Sequence, residues 1–157
     1  MFLHDVFPPE FIKVNLEAED KDEAFEELVN HYCQAGKSKA RKEILDALRK
    51  REAKMSTGIQ KGIAIPHGNT DAVNHVCGAI GISRKGIDYD SLDGEPVYLL
   101  FMVVAPSKET ERHLHVLKRL AELLENPQFY IDLQSQKDAQ GAYKIINKYE
   151  DMLIALE

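Results

Sequence analysis

The sequence predicts an α/β or α+β domain built around one sheet, on three observations. Segments with two-residue apolar alternation are interspersed with segments whose apolar residues recur at helical spacing. One continuous run, Val97-Tyr98-Leu99-Leu100-Phe101-Met102-Val103-Val104, has the composition of a strand buried on both faces. A chain of 157 residues, 44% of them hydrophobic, can bury one proper core but not two ordinary ones. A single domain over residues 1–157 is therefore expected, with helices and strands layered on one sheet.

The elements follow in order. Residues 1–7 have neither the basic stretch nor the sustained apolar stretch of a signal peptide, and no apolar run approaches a membrane span. A cytoplasmic protein without direct membrane insertion is expected. After Pro8-Pro9, Ile12, Val14 and Leu16 alternate with polar residues as in a half-buried strand. From Asp20 the period changes: Ala24, Phe25, Leu28, Val29 and Tyr32 share a helical face, Asp20 and Glu23 resemble a capping box, and Gly36 is the expected stop. A second helix runs from about Ser38 to Lys50, its inward stripe being Ile44, Leu45 and Leu48. Met55 to Gly62 shows neither period and ends in the short apolar run Ile63-Ala64-Ile65-Pro66-His67-Gly68. Loops of this length inside compact domains tend to be functional. Two strands are expected at His75 to Ser83 and Pro96 to Ala105, then a long amphipathic helix capped by Ser107 and reaching about Glu125. Helices around Gln128 to Gln134 and Asp138 to Lys148 complete the chain.

The charge balance narrows the function. A formal charge of −6 argues against a general binder of nucleic acid, which relies on a net basic surface. The distribution is uneven: residues 37–61 hold nine of the 20 Lys and Arg but only three of the 26 Asp and Glu. That segment is either a solvated helix face or the surroundings of an anion site. Cys33 and Cys77 form no CxxC pair, and two cysteines in a chain of this size are normally reduced and buried.

Of six histidines, His67 is set apart by its neighbours. Pro66 fixes its own φ and pushes Ile65 to an extended conformation, while Gly68 permits a sharp turn and a close approach by a ligand. Such a histidine is either a turn residue capping a backbone group or a nucleophile presented beside free N–H groups. His113 and His115 look like a metal-binding HxH pair, but on a helix they point about 200° apart. The pattern there is helical. Leu114, Leu117, Leu120, Ala121 and Leu124 form one arc with His113 inside it, whereas His115 lies with Arg112, Arg119 and Glu122 on the polar side. Arg51 continues the inward stripe of the second helix, as a partner of the helix dipole or as an anion ligand. Thr57 and Gly58 offer a hydroxyl and an approachable N–H in the following loop. Phosphate loops, kinase glycine loops, HExxH and CxxC metal spacing are all missing from the sequence. No nucleotide or metal cofactor is expected.

The run Arg51-Glu52-Ala53-Lys54-Met55-Ser56-Thr57-Gly58-Ile59-Gln60-Lys61-Gly62-Ile63-Ala64-Ile65-Pro66-His67-Gly68 closely resembles the active-site segment of the mannitol/fructose-class enzyme IIA domains of the bacterial phosphotransferase system. The nitrogen-related regulatory IIA proteins share it. The segment His113-Leu114-His115-Val116-Leu117-Lys118-Arg119-Leu120 resembles the second-histidine helix of that family, and the order of elements agrees over about residues 3–150. The resemblance implies a mixed parallel and antiparallel sheet flanked by helices on both faces. It implies a phosphotransferase component with a phosphohistidine intermediate: His67 as the phosphorylated nucleophile, His113 as its phosphate-stabilising partner, and Arg51 as charge stabiliser. Thr57, Gly58 and Gly68 would line the phosphate. The donor would be an HPr-type phosphocarrier; the acceptor would be a cysteine on a IIB domain or, in the regulatory branch, partner proteins would read the phosphorylation state. A remote third reading is a small metal-dependent hydrolase using His67, His113 and Asp71.

Overall fold

The computed structural model describes residues 2–157 and shows one mixed sheet with helices on both faces. Its centre is an antiparallel pair, β5 (Cys77–Ile87) and β6 (Val97–Ala105), in register from Cys77 opposite Val104 to Ile82 opposite Leu99. On one side β1 (Ile12–Lys13) runs parallel to β5. On the other, β3 (Ile63–Ala64) and β4 (His67–Asn69) both run parallel to β6, one after the other along its length. The edge strand β2 (Gly58–Gln60) pairs antiparallel with β3.

The side chains of β6 divide between two cores, as the alternation of a pleated strand requires. Leu99, Phe101 and Val103 enter a layer formed with α1 (Leu3–Val6), α4 (Thr110–Leu124), α5 (Pro127–Gln134) and α6 (Ala139–Ala155). Leu100, Met102 and Val104 enter the opposite layer, formed with α2 (Lys21–Gly36) and α3 (Arg41–Glu52). All six are fully buried. Each such burial stabilises by about 1.5–3 kcal/mol, so β6 tolerates a polar substitution on neither face.

Several boundaries differ from expectation for identifiable reasons. The Asp20 side chain caps α2 by accepting from Glu23 N at 2.9 Å, but the Glu23 carboxylate reaches back to Glu19 N. Gly36 is the last helical residue instead of the stop; Lys37 takes the left-handed position at φ 53°, and a Cβ at Gly36 would meet the Phe11 ring at 3.2 Å. Ser107 does not cap α4. It lies in a 3-10 turn and donates to Asp71, and the helix begins at Thr110. The single turn α1 carried no readable period, and β2 is too short to show one.

The inward face of α4 is also rotated from its expected setting. It comprises His113, Val116, Leu120 and Leu123, while Leu114 is 61% exposed. Arg119, expected on the polar side, is buried: its Nη1 lies 3.7 Å from Glu150 of α6 and its Nη2 3.3 Å from Glu157. Glu150 also accepts from Leu3 N with both oxygens, at 2.9 and 3.0 Å. A cation with carboxylate partners on its buried side can occupy a core position that hydrophobicity alone assigns to solvent.

Candidate active site

Pro66 divides β3 from β4. It has no N–H to give the ladder, so pairing along β6 lapses and resumes at His67, which sits opposite Val103. The Pro66 carbonyl still accepts from Val103 N at 3.0 Å and keeps the break in line. The His67 Nδ1 lies 2.7 Å from the Ile65 carbonyl oxygen. A carbonyl only accepts, so Nδ1 carries the hydrogen and Nε2 holds the free lone pair.

Gly68 lets α3 come close. A Cβ there would stand 2.7 Å from the Ala47 carbonyl oxygen, so α3 packs directly on β4 and brings Arg51 to the His67 side chain. The Arg51 guanidinium is held by donation from Nη1 to the Met55 carbonyl at 2.8 Å. From the other side, β6 leads through the 3-10 turn into α4, whose first turns deliver His113. The two imidazoles meet edge to face, with centroids 6.0 Å apart and planes at 74°.

His113 is only 6% exposed. Its Nδ1 lies 3.2 Å from Asn69 Oδ1, and its buried Nε2 has no partner among the described residues. A buried polar atom left unsatisfied costs about 1–3 kcal/mol, which marks a place where a further acceptor or donor belongs. Both histidines bind protons less readily than usual. For His67 burial is the main cause and the Arg51 charge adds to it, against the opposing pull of the Ile65 carbonyl and Glu52. For His113 the causes are burial and the proximity of His67. Both rings are therefore neutral near pH 7.

The cleft that holds them measures about 360 Å³ and is bordered by the cations Lys50, Arg51 and Lys54 and the apolar Leu114 and Leu117. Four of the six residues singled out in the sequence, His67, His113, Arg51 and Gly68, line it together. Thr57 and Gly58 do not: Thr57 is buried behind the cleft against Glu52 and Tyr89, and Gly58 lies in β2 under Tyr89 and Ser91. Asp71 accepts from Ser107 N and Oγ at the turn before α4, away from the cleft lining. His115 is exposed while His113 is buried, so the HxH pair diverges as helical geometry requires. Sequence reasoning missed Asn69, although it shares a strand face with His67 two residues away. It also missed Lys50 and Lys54 individually; the basic segment was the signal.

A mixed sheet thus presents His67 to a cation-rimmed cleft, an arrangement that suits an anionic group. Residues 5–149 match the family described as phosphoenolpyruvate-dependent sugar phosphotransferase system, EIIA 2, and the chain belongs to that family. It is 37% identical over 139 residues to the fructose-specific EIIABC component of Bacillus subtilis strain 168, covering 88% of this chain but only 22% of that protein. It is 39% identical to a fructose-specific EIIA component of Haloferax volcanii, covering 76% and 77% of the two chains. It is 31% identical to a nitrogen regulatory protein of Bradyrhizobium diazoefficiens, covering 93% and 95%. Among solved structures, the nitrogen regulatory protein IIA-Ntr from Neisseria meningitidis superposes with a TM-score of 0.84 at 29% identity, over 92% of this chain and 98% of that one. The fold also matches the mannitol IIA from Escherichia coli, solved in complex with phosphorylated IIB, with a TM-score of 0.73 at 19% identity, over 88% and 95%. Among the described residues, no helix is long and apolar enough to cross a membrane.

Proposed function

We propose that this chain is a phosphoryl carrier that takes a phosphoryl group onto Nε2 of His67 from an HPr-type phosphohistidine donor and passes it on. The observation that carries this reading is the pairing of His67 Nδ1 with the Ile65 carbonyl, which leaves Nε2 as the nucleophile in a cleft bordered by three cations. The Nε2 lone pair attacks phosphorus, the donor's P–N bond breaks, and its electron pair returns to the donor imidazole. In the onward step a thiolate on a IIB domain attacks the same phosphorus, and the pair returns to Nε2. Charge in such a transfer is spread over three equatorial oxygens, so positioned cations and hydrogen-bond donors supply most of the catalysis. Arg51 is such a cation before transfer, and His113 becomes one as the incoming phosphoryl charge favours its protonation. Gly68 contributes by admitting α3, and with it Arg51, to the nucleophile.

The two free cysteines fit a cytoplasmic location, with the buried Cys77 thiol pushed up to about 11, mainly by burial, and so kept unreactive. The test is incubation with a phosphorylated HPr-type donor, followed by mass spectrometry under conditions that preserve the P–N bond. Label on His67 is expected, with nitrogen NMR of the phosphorylated protein placing it on Nε2; label on another residue overturns the assignment. A regulatory role has support of its own, because the nitrogen regulatory relative aligns over nearly its whole length. Label that moves on to a IIB cysteine favours relay; label that stays on this chain favours regulation through partner proteins that read it.

A further inference from the structure

Thr57 and Gly58 lie outside the cleft, yet Thr57 is the joint at which several strong contacts meet. Its side-chain hydroxyl donates to Glu52 Oε1 and its backbone N–H donates to Glu52 Oε2, both at 2.7 Å. The Tyr89 hydroxyl stands 2.7 Å from Thr57 Oγ1 and 3.4 Å from Glu52 Oε1. Lys21 Nζ closes the ring at 3.1 Å from Glu52 Oε2. The Glu52 side chain is 7% exposed, Thr57 3% and Tyr89 0%. Burial, reinforced by the Glu52 charge, pushes the Tyr89 phenol well above its ordinary range, so it remains a hydroxyl donor at any working pH.

Two paths lead from this joint to the reacting groups. The Thr57 carbonyl accepts from Ile65 N at 3.1 Å, and the Ile65 carbonyl in turn accepts from His67 Nδ1. Glu52 follows Arg51 in the chain, and the turn it closes onto Thr57 contains Met55, whose carbonyl receives the guanidinium. Gly58 makes the arrangement possible, because a Cβ there would meet Tyr89 Cδ1 at 2.8 Å and Ser91 Oγ at 2.6 Å and displace the phenol.

Resting on the carrier reading above, we infer that Glu52, Thr57 and Tyr89 form a buried clamp that sets the position of the His67 imidazole relative to the Arg51 guanidinium. Thr57 is a positioning residue and does not touch the phosphoryl group. Clamps of this kind are worth roughly 10–100-fold in related settings where an outer partner orients a reacting ligand. A buried network also has value only when fully satisfied, so each member is needed.

The experiment measures phosphoryl acceptance from an HPr-type donor per folded molecule, with thermal unfolding alongside. Thr57→Val, which keeps the shape and removes the hydroxyl, is expected to slow acceptance by roughly tenfold, and Thr57→Ser to recover most of the rate. In an Arg51→Ala background, Thr57→Val is expected to lose much of its effect, because the clamp acts in part through that guanidinium. Nitrogen NMR of the unphosphorylated protein should show the His67 Nδ1–H tautomer weakened in Thr57→Val and restored in Thr57→Ser. Should Thr57→Val not fold, Tyr89→Phe carries the test, with a smaller slowing expected. Folded variants that accept at the wild-type rate with an unchanged tautomer overturn the clamp, and so does full additivity with Arg51→Ala. A wild-type chain that takes no label on His67 overturns the carrier reading instead, a separate outcome.

Discussion

On the carrier reading the accepting histidine must be neutral before transfer, and burial lowers the proton affinity of both His67 and His113. His67→Ala is expected to abolish acid-labile phosphorylation, whereas His113→Ala should leave a slower but real acceptance at His67; phosphate mapping by mass spectrometry separates the two. Arg51→Ala should slow acceptance by at least roughly an order of magnitude, the scale of a lost transition-state charge stabiliser, with the unfolding midpoint little changed. Phosphorylation then reverses the electrostatics of the neighbour: a dianion placed near His113 favours its charged form. The His113 ring is expected to titrate at higher pH in the phosphorylated protein than in the free one, as read by proton NMR. His67 was legible as a candidate because Pro66 and Gly68 flank it in sequence. Thr57 was expected to line the phosphate, and its burial against Tyr89 was not legible, because that partner is 32 residues away and only folding brings the two hydroxyls together.

At the level of elements, the approach of α3 to β4 decides whether Arg51 reaches His67. Gly68→Ala should cost about 1–3 kcal/mol, since the obstacle is the Ala47 backbone, which cannot rotate away. Chemical denaturation measures that loss, and acceptance should fall with it as Arg51 is displaced. The pair between α4 and α6 makes a separate prediction. Glu150→Gln leaves Arg119 with only the exposed Glu157 and weakens the grip on Leu3 N, so a loss of about 3 kcal/mol is expected, the low end for breaking a buried pair. The periods of α2, α3 and β6 were readable because each buries a whole stripe or both faces. The setting of α4 was not: its outward leucines, Leu114 among them, border the cleft, and its inward Arg119 is neutralised by residues more than thirty positions later.

For the molecule as a whole, the same histidines tie stability to pH. Their folded proton affinity is depressed by burial, so between the ordinary value of 6.5 and the lower folded values the unfolded chain binds more protons. Their contribution is fully present above 6.5 and is lost as pH falls through the folded values. Denaturation midpoints should therefore drop between pH 7.5 and pH 5.5, and replacing both His67 and His113 by Gln should flatten part of that slope, leaving the share of His31, whose affinity burial also lowers. That a single sheet carries the chain was legible in the doubly apolar β6; that α1 closes onto α6 was not, because one turn of helix has no period to read. This closure has a consequence for how the domain can be wired into larger machines. Leu3 N is bound by Glu150, and Arg119, which reaches the same carboxylate, also reaches Glu157, so Leu3 and Glu157 lie at one corner of the molecule. That corner lies about 9 Å along α4 from His113, six residues at 1.5 Å each. A loop entering and leaving there, as at the neck of an inserted module, has only that corner to span. Joining the two ends through a short flexible linker should accordingly leave phosphoryl acceptance at its unlinked rate.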